Sequence, residues 1–269
     1  MTVALVTGAN QGVGFAVARQ LVQALGPSAT VYLTGRDPER VERAAAEAPG
    51  TVPAVMDVRQ DDAVAKLAAE LADRHGAVDV VVSNAAARRA PGRADAETVR
   101  AFVDTNNLGT TRMIRSFGPI LRPGGRFLVV ASAFGSLRNL DPKLRPLFDT
   151  EALTLDEVDR RMLEFADLVE AGRHRQEGWP ESINIPSKIG QVAAARVFAR
   201  EQARRDGVHI LAVCPGLVDT DASRPWFADM SQAQSPDEAA RDLVRLARGD
   251  VEPEFYGRLV QHRHIIPWT

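Results

Sequence analysis

The chain has 269 residues, with 33 basic and 35 acidic side chains, a formal charge of -2 and 45% hydrophobic content. That length suits one α/β domain of residues 1–269 with a large core, and the balanced charge gives no field to attract nucleic acid or an anionic membrane, so a small molecule is the expected partner. Cys214 is the single cysteine, which excludes an internal disulfide framework and a thiolate zinc site and fits a reducing cytoplasm.

Met1 to Val6 run into a glycine turn with neither a basic start nor a long apolar stretch, so neither a signal peptide nor a membrane span is expected. The expected strands are Val3–Val6, Thr30–Leu33, Val52–Met56, Val78–Val82, Arg126–Ala131, Val208–Val213 and Phe255–Val260. They are mostly continuous in Val, Leu and Ile, as strands covered on both faces are. Longer helical patterns alternate with them, which predicts right-handed crossovers and a doubly wound parallel α/β sheet of about seven strands. Ser235-Pro236-Asp237-Glu238 reads as a capped helix start.

Thr7-Gly8-Ala9-Asn10-Gln11-Gly12-Val13-Gly14 falls between the first strand and the first helix. A glycine-rich turn there aims free helix N-terminal amides at a pyrophosphate. Gly8 allows the tight turn, Gly12 lets the backbone approach phosphate, and Gly14 clears space where helix and strand pack; Asn10, Gln11 and Val13 complete the cradle. Taken alone, the stretch also fits a strand-to-helix turn with no ligand. After the second strand comes Thr34-Gly35-Arg36-Asp37. Arg36 offers a planar fork for a 2'-phosphate, which favours NADP(H). Asp37 reads as a helix cap before Pro38, but it could instead bind the ribose of NAD.

The T-G-x-x-x-G-x-G spacing resembles the short-chain dehydrogenase/reductase family, and further matches follow in that family's order. Asp57-Val58 resembles its adenine-contacting pair. Asn84-Ala85-Ala86 resembles its Asn-Ala-Gly turn, with Ser83 and Ala86 departing from the usual Asn and Gly. Asn106 matches the helix asparagine that holds a water near the active-site lysine. Ser132 matches the serine that hydrogen-bonds a substrate carbonyl. Pro215, Gly216, Val218 and Thr220 match the loop that positions the nicotinamide carboxamide. The resemblance to the carbonyl reductase branch covers nearly the whole chain, including a helical insertion at about 138–180. There Thr154 and Glu157 read as a capping box, and Leu155, Val158, Met162, Phe165 and Val169 recur at helical spacing. In that branch the inserted helix covers the surface other members use for tetramers, which implies a monomer. A substrate lid is expected at about 219–234, where Trp226 and Phe227 wall an apolar pocket or serve as packing anchors.

Asn184 and Lys188 are i and i+4 and share one helix face. Lysine is scarce, with Lys66, Lys143 and Lys188 the only three. The resemblance assigns Lys188 to the nicotinamide ribose and puts a catalytic tyrosine where this chain has Asn184. An asparagine amide can donate a hydrogen bond to developing negative charge but has no proton to release near neutral pH. Losing a general acid costs roughly 3 to 5.5 kcal/mol of barrier. Tyr32 and Tyr256, expected in the second and last strands, are not placed to replace it; a water linked to Lys188, His174 and Glu177 remain as candidate proton sources. The residues therefore point to hydride transfer to an iminium or activated unsaturated or carbonyl compound. A nonredox cyclisation, dehydration or isomerisation using Ser132, Asn184 and Lys188, or cofactor binding without catalysis, are the alternatives. His262 and His264 lack acidic or cysteine partners in sequence, so no metal site is expected.

Overall fold

The computed structural model describes all residues except 90, 91, 93, 203–206 and 250. Eight strands form one sheet: β1 (Val3–Val6), β2 (Thr30–Gly35), β3 (Thr51–Val55), β4 (Val78–Ser83), β5 (Leu121–Val130), β6 (His209–Val213), β7 (Leu259–Gln261) and β8 (His264–Ile266). Their order is β3-β2-β1-β4-β5-β6-β7-β8. Every described pairing is parallel except β7 with β8. The connection direction reverses between β1 and β4, and a crevice opens at the carboxyl ends of such a pair.

The helices are α1 (Gly12–Leu25), α2 (Pro38–Glu47), α3 (Asp61–His75), α4 (Asp95–Val103), α5 (Gly109–Phe117), α6 (Leu155–Glu170), α7 (Asn184–Gln202) and α8 (Pro236–Arg248). They cover both faces of the sheet, and the strands alternate accordingly. Val3, Leu5, Phe127, Val129, Ile210 and Ala212 join the core beneath α3 to α7. Ala4, Val6, Leu128, Val130, Leu211 and Val213 join the core beneath α1, α2 and α8. Residues buried in both directions explain why these strands read as continuous apolar runs.

Two strand expectations need correction. The fifth strand begins at Leu121 rather than Arg126, because Val78 pairs with Leu121 and Val80 with Arg126, leaving Arg122–Gly125 as a bulge. Pro123-Gly124-Gly125 hid this early start by reading as a turn. The last strand is shorter than Phe255–Val260 and is followed by an eighth, reached through His262 (φ 48) and Arg263 (φ 63). Two consecutive left-handed residues make the turn whose twist matches a hairpin, normally built from Asn-Gly or Gly-Gly. Tyr256 lies before β7, not in it, and its hydroxyl donates to the Ala199 carbonyl at 2.8 Å.

The local signals elsewhere are realised. Asp37 caps α2 by accepting from the Arg40 amide, and both Thr154 with Glu157 and Ser235 with Glu238 form reciprocal capping boxes. The expected stripe on α6 is buried, and α6 lies against α4 and α7. Trp179 closes the inserted segment against Phe165 and Phe148, with ring centroids 4.8 and 6.1 Å away. Among the described residues no helix is long and apolar enough to cross a membrane.

Candidate active site and cofactor cradle

The glycine turn sits at the switch between β1 and β4, and Asn84 locks its two sides together. The Asn84 Nδ2 donates to the Thr7 carbonyl at 2.9 Å and to the Gly8 carbonyl at 3.2 Å. The Thr7 hydroxyl accepts the Asn84 and Ala85 amides, each at 2.9 Å. Gly8 adopts φ +60, and a Cβ there would lie 2.8 Å from the Ala85 Cα. A Cβ on Gly14 would meet the Asn84 Nδ2 at 2.4 Å. Glycine is therefore required at both positions for the turn to close on the loop after β4. Gly12 also adopts a left-handed φ of +57, but a Cβ there would face open space, with the Thr220 methyl nearest at 3.7 Å.

No side chain caps α1, and no acidic residue stands in its first turn. The helix thus presents free N-terminal amides and the positive end of its dipole to that space. Exposed guanidiniums lie to one side. Arg40 donates to the Gln11 side-chain Oε1, and with the Asn10 amide turned so that its oxygen faces the guanidinium, Arg40 Nη2 and Nε reach it at 3.0 and 3.3 Å. Arg36 is close enough to act on Asp57. Burial raises the Asp57 carboxyl, but hydrogen bonds and charge from Arg59, with a contribution from Arg36, hold it below the ordinary carboxylate range. Asp57 is bound by Arg59 at 2.7 Å. A turn needing glycine, uncapped helix amides and exposed arginines fit an anionic dinucleotide bearing an additional phosphate.

Asn106 is not in a regular helix: it lies in a π turn, Asp104–Leu108, between α4 and α5. The extra residue in that turn aims Asn106 inward, as such bulges do at functional sites. Its Oδ1 accepts the Ala87 amide at 2.7 Å and its Nδ2 donates to the Ser187 hydroxyl at 3.3 Å, tying the loop after β4 to α7. The Asn107 Nδ2 donates to the Ser187 carbonyl at 2.8 Å.

Ser132 follows β5 and caps a short 3-10 turn, accepting the Phe134 amide at 3.3 Å. The α7 helix packs directly on this turn: a Cβ on Gly135 would stand 2.9 Å from the Lys188 carbonyl. Lys188 Nζ reaches the Val130 carbonyl at 3.5 Å, two residues before Ser132. These contacts bring Ser132, Asn106 and Lys188 to one end of the sheet. Asn184 begins α7 on the Lys188 side, and its amide makes no hydrogen bond to the described residues. Burial lowers the Lys188 ammonium to about 8, while the nearby Cys214 thiol acts in the opposite direction. Burial itself pushes that thiol up.

The segment at 219–234 is pinched at its base. Val218 bridges Gln234, and the Asp219 amide donates to the Gln234 carbonyl at 2.8 Å. Trp226 and Phe227 are 40% and 42% exposed, and Phe134 is 39% exposed. The Arg89 guanidinium lies 4.6 Å from the centre of the Trp226 ring, joining this segment to the loop after β4.

His174 is placed edge-on to Phe165 inside the insertion, and burial lowers its proton affinity; Glu177 is on the surface. The hydroxyl of Tyr32 is engaged by His75 at 2.8 Å. His262 does have an acidic neighbour, Asp242 at 2.7 Å, supplied by α8 rather than by nearby sequence.

Four residues of the site escaped sequence reasoning. Arg40, one helical turn after Arg36, and Gln191, a lone polar residue before Val192 and three alanines, had a visible signal. Phe134 and Arg89 had none: nothing local marks the exposure of Phe134, and the contact of Arg89 with Trp226 is long-range.

A model of the family described as short chain dehydrogenase matches residues 2–140. "Carbonyl reductase [NADPH] 1" of Mus musculus is 34% identical, the match covering 99% of this chain and 98% of that protein. The Homo sapiens protein of the same name is 32% identical over the same shares. Among solved structures, salutaridine reductase from Papaver somniferum superposes with a TM-score of 0.80 at 22% identity, covering 96% of this chain and 99% of the other. Menthone neomenthol reductase from Mentha piperita gives 0.77 at 22% identity, covering 98% and 99%. At that identity the structural likeness establishes the fold.

Proposed function

The chain belongs to the short-chain dehydrogenase family, and from that premise we propose that it is an NADP(H)-dependent reductase of small molecules working without the usual tyrosine acid. The observation that carries this reading is Asn184, one turn before Lys188 at the start of the helix that packs on the turn after Ser132. Names of the mammalian relatives, the uncapped α1 terminus and the exposed guanidiniums of Arg36, which acts on Asp57, and Arg40, which binds Gln11, support NADPH as cofactor. When bound, that cofactor supplies a hydride.

The residues of the chain divide the remaining work. Gly8, Asn10, Gln11, Gly12, Val13 and Gly14 hold the pyrophosphate, and Arg36 with Arg40 takes the additional phosphate. Asp57 and Val58 flank the adenine, and Asn84, Ala85 and Ala86 shape the floor. Pro215, Gly216, Val218 and Thr220 orient the carboxamide, and Lys188 fixes the ribose. The Ser132 hydroxyl and the Asn184 side-chain amide orient the polar end of the substrate, each accepting from an iminium N–H or donating to a carbonyl oxygen. Phe134, Trp226 and Phe227 exclude water from the reacting carbon.

Asn184 has no proton to give, so a substrate whose reduction creates a strongly basic oxygen is disfavoured. An iminium carbon accepts hydride to give a neutral amine and needs no acid at that step. The favoured substrates are therefore iminium ions, then activated unsaturated or carbonyl compounds. We also propose that the chain is a monomer of one domain, because α6 of the inserted segment lies over α4 and α7, and that it is cytoplasmic, because its single cysteine suits a reducing compartment. NADPH oxidation over matched cyclic imines, enones, quinones and ketones tests the assignment. Preference for imines supports it; ketone turnover at ordinary family rates removes its main ground.

A further inference from the structure

Gln191 is 1% exposed and lies among buried Ile189, Val192, Ala193, Ala194 and Ala195. A glutamine in such a place costs free energy unless both ends of its amide are paired. Both are. The Oε1 accepts from Lys188 Nζ at 2.6 Å, and the Nε2 donates to the Thr110 hydroxyl at 3.2 Å. Thr110 in turn donates to the Asn106 carbonyl at 2.6 Å. The amide can be oriented in only one way: reversing it would set an NH2 against the ammonium and an oxygen against a hydroxyl that has already given its hydrogen.

Building on the assignment of Lys188 to the cofactor side of the cleft, we propose that Gln191 is the positioning residue of this site. It draws Lys188 into a one-way hydrogen-bond chain through Thr110 to Asn106, fixing the amine in place and favouring its charged form. Every donor in the chain points the same way, so each bond polarises the next. The link between Lys188 and the Asn106 segment, which the family resemblance gives to a water, is made here by protein atoms. A charge-assisted bond of this kind offsets part of the burial that disfavours the lysine cation. Among the described residues, Cys214 also acts in this direction, but the other contacts of Lys188 are weak. The Val130 carbonyl stands at the hydrogen-bond limit of 3.5 Å, and the buried Cys214 thiol is held toward its neutral form.

With only three lysines in the chain, the proposal can be read without any turnover. Lysine labelled with 13C at Cε gives three signals, two of them from Lys66 and Lys143. Their titration is followed by NMR in the intact protein, in Gln191→Met and in Gln191→Glu. Gln191→Met is expected to lower the Lys188 midpoint by about one pH unit, a tenfold change in its proton affinity. Gln191→Glu, which keeps the size and adds an anion, is expected to raise it by a unit or more. The Lys66 and Lys143 midpoints are expected not to move. A Lys188 midpoint within about 0.3 unit of the parent in either variant overturns the proposal. NADPH binding by the parent, measured in parallel, separates this outcome from failure of the reductase reading: absent binding would sink that reading and leave the titration result standing.

Discussion

The Asn84 Nδ2 occupies the space that a side chain on Gly14 would need, 2.4 Å from the ideal Cβ position, while it holds the Thr7 and Gly8 carbonyls. The first helix and the loop after β4 are thereby built as one unit, and the cradle depends on it.

Gly14→Ala is accordingly expected to force Asn84 out of its hydrogen bonds. Overpacking of this kind costs about 1 to 3 kcal/mol. Thermal unfolding should show the loss, and calorimetry should show NADPH binding weakened at least tenfold. Unchanged affinity in the variant would mean that the turn and the loop do not form one cofactor site.

Arg36 and Arg40 are expected to select the phosphorylated cofactor. A charge-assisted bond to phosphate contributes about 1.5 to 3 kcal/mol, so Arg36→Ala or Arg40→Ala should raise the NADPH dissociation constant by roughly 10- to 100-fold. Binding of NADH should change by less than threefold. Equal losses for both cofactors would place the arginines elsewhere than at the 2'-phosphate.

Lys188 links the site to stability. Its proton affinity in the fold, about 8, lies below its ordinary 10.5 because the ammonium is buried. Between these values the unfolded chain holds the proton and the folded chain has released it, so stability contributed at this position rises with pH. The penalty is full below pH 8 and is relieved as pH climbs from 8 toward 10.5. The stability difference between the unmodified protein and Lys188→Met, from denaturant unfolding, should therefore shift in favour of lysine by up to about 3 kcal/mol across that window. A flat difference would show that the amine is solvated.

Trp226 stands 40% exposed beneath the Arg89 guanidinium. Trp226→Ala removes an aromatic wall, and losing about 1 kcal/mol of apolar burial against the substrate should raise KM for a bulky imine about fivefold. The expected kcat changes little. Equal KM values for parent and variant would remove this residue from the substrate pocket.

The alternation of apolar runs with helical patterns disclosed the doubly wound sheet, because strands buried by two layers of helices carry apolar side chains on both faces. The capping boxes at Thr154 and Ser235 and the cap at Asp37 were equally visible, since each is made by neighbours in sequence. What could not be read was long-range or out of pattern. The β7–β8 hairpin turns through His262 and Arg263, which carry no turn signal, and the early start of β5 is hidden by Pro123-Gly124-Gly125. The π turn at Asn106 leaves no mark in composition. Gln191 was visible as a polar residue among apolar ones, but its meaning depends on Thr110, 81 positions away.

The account turns on whether this cleft lacks a proton donor. The most direct measurement is the initial rate of NADPH oxidation with a simple aldehyde, compared between the unmodified protein and Asn184→Tyr at matched cofactor saturation. The account predicts slow turnover by the unmodified protein and a gain of about a hundredfold or more in the variant, the least that a placed general acid contributes. Rapid alcohol formation by the unmodified protein, or no gain in a variant that still binds NADPH, would contradict it.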